Sequence, residues 1–206
     1  VVAIIAILAA IAVPNFLEAQ TRSKVSRVKA DQRSAATALE SYRVDNNKYP
    51  PHYIDGCTLL PQCYGTTADR SLFRLTTPVA YLSSITPLAD VFNKNTATFR
   101  GPGLPGAGAQ WNTDYMFYWD FSLMFRENIP PPKPDFEAWA LRSVGPDATD
   151  DAAEWRMYNF AVRPNSQTEA DFLNGTYDPS NGTVSIGDVT RFGGAIPPQA
   201  EAVMNN

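Results

Sequence analysis

One histidine and two cysteines are the whole soft-ligand inventory of this chain. His52, Cys57 and Cys63 cannot assemble a four-ligand zinc site, which removes that branch of chemistry. Cys57 and Cys63 stand six positions apart in a stretch marked by Gly56 and Pro61. They suit one local disulfide in an oxidising compartment and two reduced thiols in a reducing one. His52, near Asp55, has no activated nucleophile beside it in sequence and reads as an exposed loop histidine rather than a general base. Residues 143–151 are the most chemically loaded. Asp147, Asp150 and Asp151, the hydroxyls of Ser143 and Thr149, and loop carbonyls offer hard oxygen donors at the density calcium takes, and the same residues also read as a solvated acidic turn. Gly101, Gly103 and Gly106 spell G-x-G-x-x-G, but Pro102 and Pro105 interrupt it and no strand–helix frame surrounds it, so no phosphate loop is expected. Asn174-Gly175-Thr176 and Asn181-Gly182-Thr183 match the N-glycosylation pattern. No catalytic set emerges, and an enzyme is not expected.

The elements that carry these residues have to come from 206 positions, enough for one domain and an appendage. With 44% apolar, 12% aromatic and 18% charged residues, the chain is composed to fold rather than to remain disordered. Its net charge of -4 argues against nucleic acid as a main partner. The charge is polarised, however: residues 1–48 carry seven basic and four acidic side chains, a net +3, leaving ten against seventeen, a net -7, for the rest.

Residues 1–13 are apolar without interruption. A surface helix would show polar residues every turn, so this segment belongs in a bilayer, in a core or among copies of itself. From Asn15 to Lys48 there is no Gly and no Pro, and good helix formers recur, so the helix continues to Asn47 with a local defect at Pro14. Val25, Val28, Ala35, Leu39 and Tyr42 fall on one side as a packing stripe, while Glu18–Arg22, Arg27–Asp31 and Glu40–Arg43 pair opposite charges on the remainder.

The run AIIAILAAIAVPNFLEAQTRSKVSRVKADQRSAATALESYRVDNNKYP resembles the N-terminal helix of type IV pilins and of the pseudopilins of type II secretion, the major pseudopilin most of all. That resemblance implies an α+β fold: a long N-terminal α-helix packed on a small antiparallel β-sheet with long loops. Aligning the family's proline on Pro14 implies that about eight residues precede Val1, among them an N-methylated Phe and a Glu, lengthening the apolar run to about 21 residues, enough to span a bilayer. The implied division is 1–24, a membrane anchor before assembly and a filament core afterwards, and 25–206, a globular domain. Val1, Val2, Ile4, Ile5, Ile7, Leu8, Ile11, Val13, Pro14, Phe16 and Leu17 form the expected polymerisation core. The implied partners are copies of the chain itself, an inner-membrane assembly machinery, minor pilins and secreted proteins. The implied location is the inner membrane, then an extracellular filament or periplasmic pseudopilus. The resemblance also reaches the calcium loop of the major pseudopilin, which implies Asp147, Asp150 and Asp151 as calcium ligands, with Ala148 where the family has Gly. The basic run Lys24, Arg27, Lys29 and Arg33 would then meet the acidic domains of neighbouring subunits.

Beyond Tyr49-Pro50-Pro51 the sequence turns to loops, with a short helix able to begin near Ser71. Three stretches, 114–121, 136–144 and 155–162, are rich in aromatic and apolar residues and read as antiparallel strands whose Tyr115, Trp119, Trp139 and Tyr158 line or cap the helix contact. Asn181-Gly182 suggests a late hairpin. Added loops at 49–66 and 93–112 suit an exposed filament sheath. The rival reading is a membrane-anchored monomer displaying an aromatic binding module.

Overall fold

The computed structural model describes residues 2–51, 72–93, 98–99, 115–121, 137–151, 153–162, 165–180 and 185–196, with 198 and 201. Helix α1 runs unbroken from Val2 to Asn46 with Pro14 inside it, about 67 Å at 1.5 Å per residue. It stops at Asn47, whose φ of 54° is left-handed, and the rigid Pro50-Pro51 pair prevents its resumption. Val25 is its first buried residue. From there Val28, Gln32, Ala35, Ala36, Ala38 and Leu39 are buried. Small alanines at the contact let the helix lie close to what it covers.

That surface is a three-stranded antiparallel sheet in the order β2 (Phe117–Asp120), β3 (Ala138–Ser143), β5 (Val189–Gly194). Trp119 stands opposite Ala140, and Ala140 opposite Phe192. All six residues of β3 are buried, because both faces of this central strand are covered. Strand alternation sends Trp139 and Leu141, with Tyr118, towards Ala35, Ala38 and Leu39 of α1. It sends Ala138 and Ala140 into a second cluster with Phe121, Met157, Phe160 and Phe172. That second cover comes from α2 (Ala153–Val162) and α3 (Ser166–Asn174), whose Phe160 and Phe172 rings stack 6.4 Å apart. Two-residue strands β1 (Thr98–Phe99) and β4 (Thr149–Asp150) form a parallel pair beside the sheet.

The expected strand at 155–162 is therefore a helix. Buried Met157 and Phe160, with Ala161 partly buried, repeat at three and four positions, which is the stripe of a helix resting on the sheet. The third strand is β5, which ends in Gly193-Gly194. Gly193 is needed there: a Cβ at that position would lie 2.2 Å from Cζ2 of Trp139, the residue it pairs with across the ladder. Trp139 does line the α1 contact, joined by Tyr118 rather than Trp119, which packs on the opposite face, while Tyr115 packs partly buried against the α1 cluster. The Asn181-Gly182 turn lies outside the described residues, as do His52, Cys57 and Cys63.

Candidate functional site

Among the described residues, no side chain of the first four turns of α1 is buried. Val2, Ile4, Ile5, Ile7, Leu8, Ile11, Val13, Phe16 and Leu17 are each 54–81% exposed, and Pro14 is exposed among them. Such a continuous apolar surface far exceeds what a water-solvated helix carries. Fully burying each of these side chains is worth about 1.5–3 kcal/mol, so the segment needs a lipid or protein environment. The helix is long and apolar enough there to cross a membrane.

Farther along, α1 is locked to the sheet by polar contacts. Buried Gln32 donates through Nε2 to the carbonyl of Val189 at 2.7 Å and reaches that of Leu141 at 3.5 Å, bonding the helix to two adjacent strands. Arg43 pairs with Glu137 at 2.6 Å rather than with Glu40, the partner its spacing suggested. Glu40 instead accepts from Trp139 Nε1 at 2.9 Å and from the Tyr49 hydroxyl. Burial and the Glu40 carboxylate push the Tyr49 phenol far up. Arg22 pairs with Glu18 as spaced, and Arg27 lies 3.7 Å from Asp31, whose carboxyl is raised by burial against the pull of Arg27.

The acidic stretch is arranged around an arginine. Arg142 of β3 is buried, its guanidinium makes a two-pronged ion pair with Asp150, and Nη1 lies 3.4 Å from Asp188. Its face rests 4.4 Å from the centre of the Phe117 ring, its partner on β2. The same Asp188 accepts from the amide of Asp151, and Asp147 accepts from the amide of Thr149 to hold the turn. Asp90 accepts from the Ser143 hydroxyl at 2.6 Å and from the Val144 amide at 3.0 Å, tying the preceding loop to the end of β3. Gly145 and Gly187, at φ 72° and 108°, let the two loops press together, since a Cβ on Gly145 would lie 2.4 Å from the Gly187 carbonyl oxygen. A calcium site using Asp150 would have to displace the guanidinium that neutralises it, and among the described residues no three carboxylate, His or Cys side chains converge as a metal-binding group. Asn174 is exposed at the end of α3, with the Thr176 hydroxyl bonded to the Leu173 carbonyl; Asn181 lies outside the described residues. Gln32, Asp90 and Asp188 escape a sequence reading because their partners are up to 157 positions away.

The chain's N-terminal region is similar to the type IV major pilin protein PilA of Myxococcus xanthus strain DK1622, at 49% identity over 49 residues. That stretch is 24% of this chain and 22% of that protein, so the likeness concerns the helix and not the sheet. No protein-family profile and no solved structure matches the chain. The exposed apolar helix, its continuation onto a three-stranded antiparallel sheet and this likeness make the chain type IV pilin-like.

Proposed function

We propose that this chain is the structural subunit of a helical filament of the type IV pilus class, polymerising through the first turns of α1. The observation that carries this reading is the abrupt change along one continuous helix: bare apolar side chains up to Leu17, and a buried stripe from Val25 onwards. A simple anchor has no use for so long a rigid continuation. A subunit does, because the continuation holds the domain at a fixed distance and angle from the bundle core. Before assembly the apolar segment is solvated by lipid, its backbone groups beyond the first turn paired along the helix except the carbonyl of Ala10, which Pro14 has no amide to meet. After assembly it is solvated by copies of itself. A contact between unlike faces of successive copies does not close into a ring, and so grows as a helix.

The likeness of the N-terminal region to a type IV major pilin supports a surface pilus over a secretion pseudopilus, although the residue pattern of the first helix lies nearer the major pseudopilin, and the added loops at 49–66 and 93–112 suit an exposed sheath. Insertion and extraction are the work of an inner-membrane machinery, with minor pilins at the ends, and no active site is required of the subunit. The test is to shear native cells and image the released fraction by electron microscopy, identifying its protein by mass spectrometry. Long filaments made of this chain are expected. Finding the chain only in the envelope fraction would contradict the pilus reading.

A further inference from the structure

Strand β5 has one edge against β3 and a second edge facing away from it, and the ladder fixes which backbone groups lie on each. The Ala195 amide donates to the Glu137 carbonyl at 2.7 Å, which puts that pair in the hydrogen-bonded phase of the antiparallel ladder, with Gly193–Trp139 and Arg191–Leu141 following in the same phase. Asp188, Thr190, Phe192 and Gly194 therefore turn their N–H and C=O groups away from β3. At one end of this outer edge Asp188 is already paired: its amide donates to the Gly175 carbonyl and its carbonyl accepts from the Tyr177 amide, both at 2.9 Å. At the other end the Gly194 carbonyl accepts from the Ile196 amide at 3.1 Å. Between them, Thr190 and Phe192 make no outward backbone bond among the described residues. What remains is a short open strand edge with donors and acceptors in a row, a template on which another extended chain can pair.

The surroundings of the edge select that chain. Arg191 stands opposite Leu141 on the α1 side of the sheet, where it lines a shallow groove with Arg33, Ala36, Thr37 and Val44 of the helix. Arg33 and Arg191 are exposed, and neither forms an ion pair among the described residues. The one carboxylate of the groove, Glu40, is already shared by Trp139 and Tyr49, and Val44, 79% exposed, adds apolar surface. In a strand laid along β5, the residue beside Arg191 would project its side chain into this groove, and so would its neighbours two positions away, while the intervening residues would lie on the Phe192 side. Carboxylates at alternate positions fit, because they meet two fork-shaped cations while their methylenes cover Ala36 and Val44. A second β5 does not fit: the register that pairs Thr190 with Phe192 would set Arg191 against its own copy. We propose that β5 accepts an extended acidic segment of a different protein as a fourth strand, its backbone bonded to Thr190 and Phe192 and its alternate carboxylates to Arg191 and Arg33. The edge belongs to the folded domain, so the inference goes beyond the polymerising reading and does not depend on it.

The probe is a short labelled peptide in which Glu alternates with Thr and Val; one control carries Lys in place of Glu, and another carries Pro at its centre. Binding to the detergent-solubilised full chain is read by fluorescence anisotropy at low and high salt, with amide hydrogen exchange and the thermal melt followed in parallel. The Glu peptide should bind and slow exchange at Thr190 and Phe192, and both controls should bind at least about ten-fold more weakly. Thr190→Pro removes an outward donor without touching the β3 ladder, so it should abolish binding at an unchanged melt. Arg33→Gln with Arg191→Gln should weaken binding about ten-fold and remove most of its salt dependence. Should Thr190→Pro lower the melt, the exchange pattern and the arginine variant decide instead. Failure of the Glu peptide to bind would overturn the inference. Binding that survives Thr190→Pro and leaves exchange unchanged would reduce the groove to a plain anion patch, and overturns it equally. Protection of Thr190 and Phe192 in the chain alone, growing with its concentration, would overturn it in favour of pairing between copies. None of these outcomes bears on filament formation, which is read separately in sheared material.

Discussion

Replacing Arg142 by Met should be among the most damaging single changes in the domain. The guanidinium is 2% exposed, faces Asp150 and Asp188 that are equally buried, and lies over the Phe117 ring. Met fills much of the same volume but leaves a buried carboxylate without its counter-ion, at a cost of about 3–5 kcal/mol. Loss of the cation–ring contact adds about 1 kcal/mol. Against a total stability of about 5–15 kcal/mol for a domain, a loss of about 4–6 kcal/mol is severe. The assay is a urea titration of the detergent-solubilised chain, followed by fluorescence of its four tryptophans, of which Trp139 is buried in the sheet. Asp150→Asn in the Arg142→Met background should recover part of the loss, giving a coupling of about 2 kcal/mol between the two positions. A single-variant loss below about 1 kcal/mol with fully additive effects would refute the view that this ion pair organises the loop.

Three further outcomes are expected. Ala148 is held at φ 54°, where an L side chain crowds its own carbonyl, so Ala148→Gly should raise stability by about 0.5–1 kcal/mol in the same titration, and a loss would show that the methyl group packs usefully. The Tyr118 phenol, which donates to the Pro50 carbonyl at 2.9 Å, is raised well above its ordinary value of 10.0 by burial and then by Asp120, and Tyr49 is raised in the same direction. Their folded values exceed their unfolded ones, so the stability they contribute is complete below about pH 10 and is lost as the pH climbs towards the folded values. The urea midpoint should fall above that pH and fall less steeply in Tyr118→Phe; an identical slope in the variant would exclude this phenol as the cause. A calcium chelator should leave the melting temperature unchanged, because Arg142 already neutralises Asp150, and a drop would show that the acidic turn holds an ion after all.

The long helix was legible because its signals are local: an unbroken apolar run, a proline followed by a stretch free of Gly and Pro, and a stripe whose members Val25, Val28, Ala35 and Leu39 are indeed buried. Two of the three strands, around Tyr118 and Trp139, were legible as aromatic runs between turn formers. Residues 155–162 misled because a short apolar run fits a half-covered strand and a helix stripe alike; the sheet's need for a second cover decides the matter. Strand β5 was hidden by Gly193 and Gly194, which look like a turn until Trp139 is seen to occupy the space of the missing side chain. The polar locks were invisible for a different reason. Gln32 reads as an ordinary surface residue of a helix, and only the fold brings the carbonyl of Val189 to it. Asp150 reads as a metal ligand by type, but its nearest cation is eight residues away on the preceding strand.

We propose the exposed first turns of α1 as the core of a polymer. Cryo-electron microscopy of filaments sheared from native cells, at a resolution that allows this sequence to be traced, tests it most directly. The expected density encloses Val2–Leu17 of every copy in the same segment of its neighbours, with the sheet and α2–α3 outside. Filaments whose core is built by another protein, or this chain recovered solely as a monomer in membranes, would contradict it.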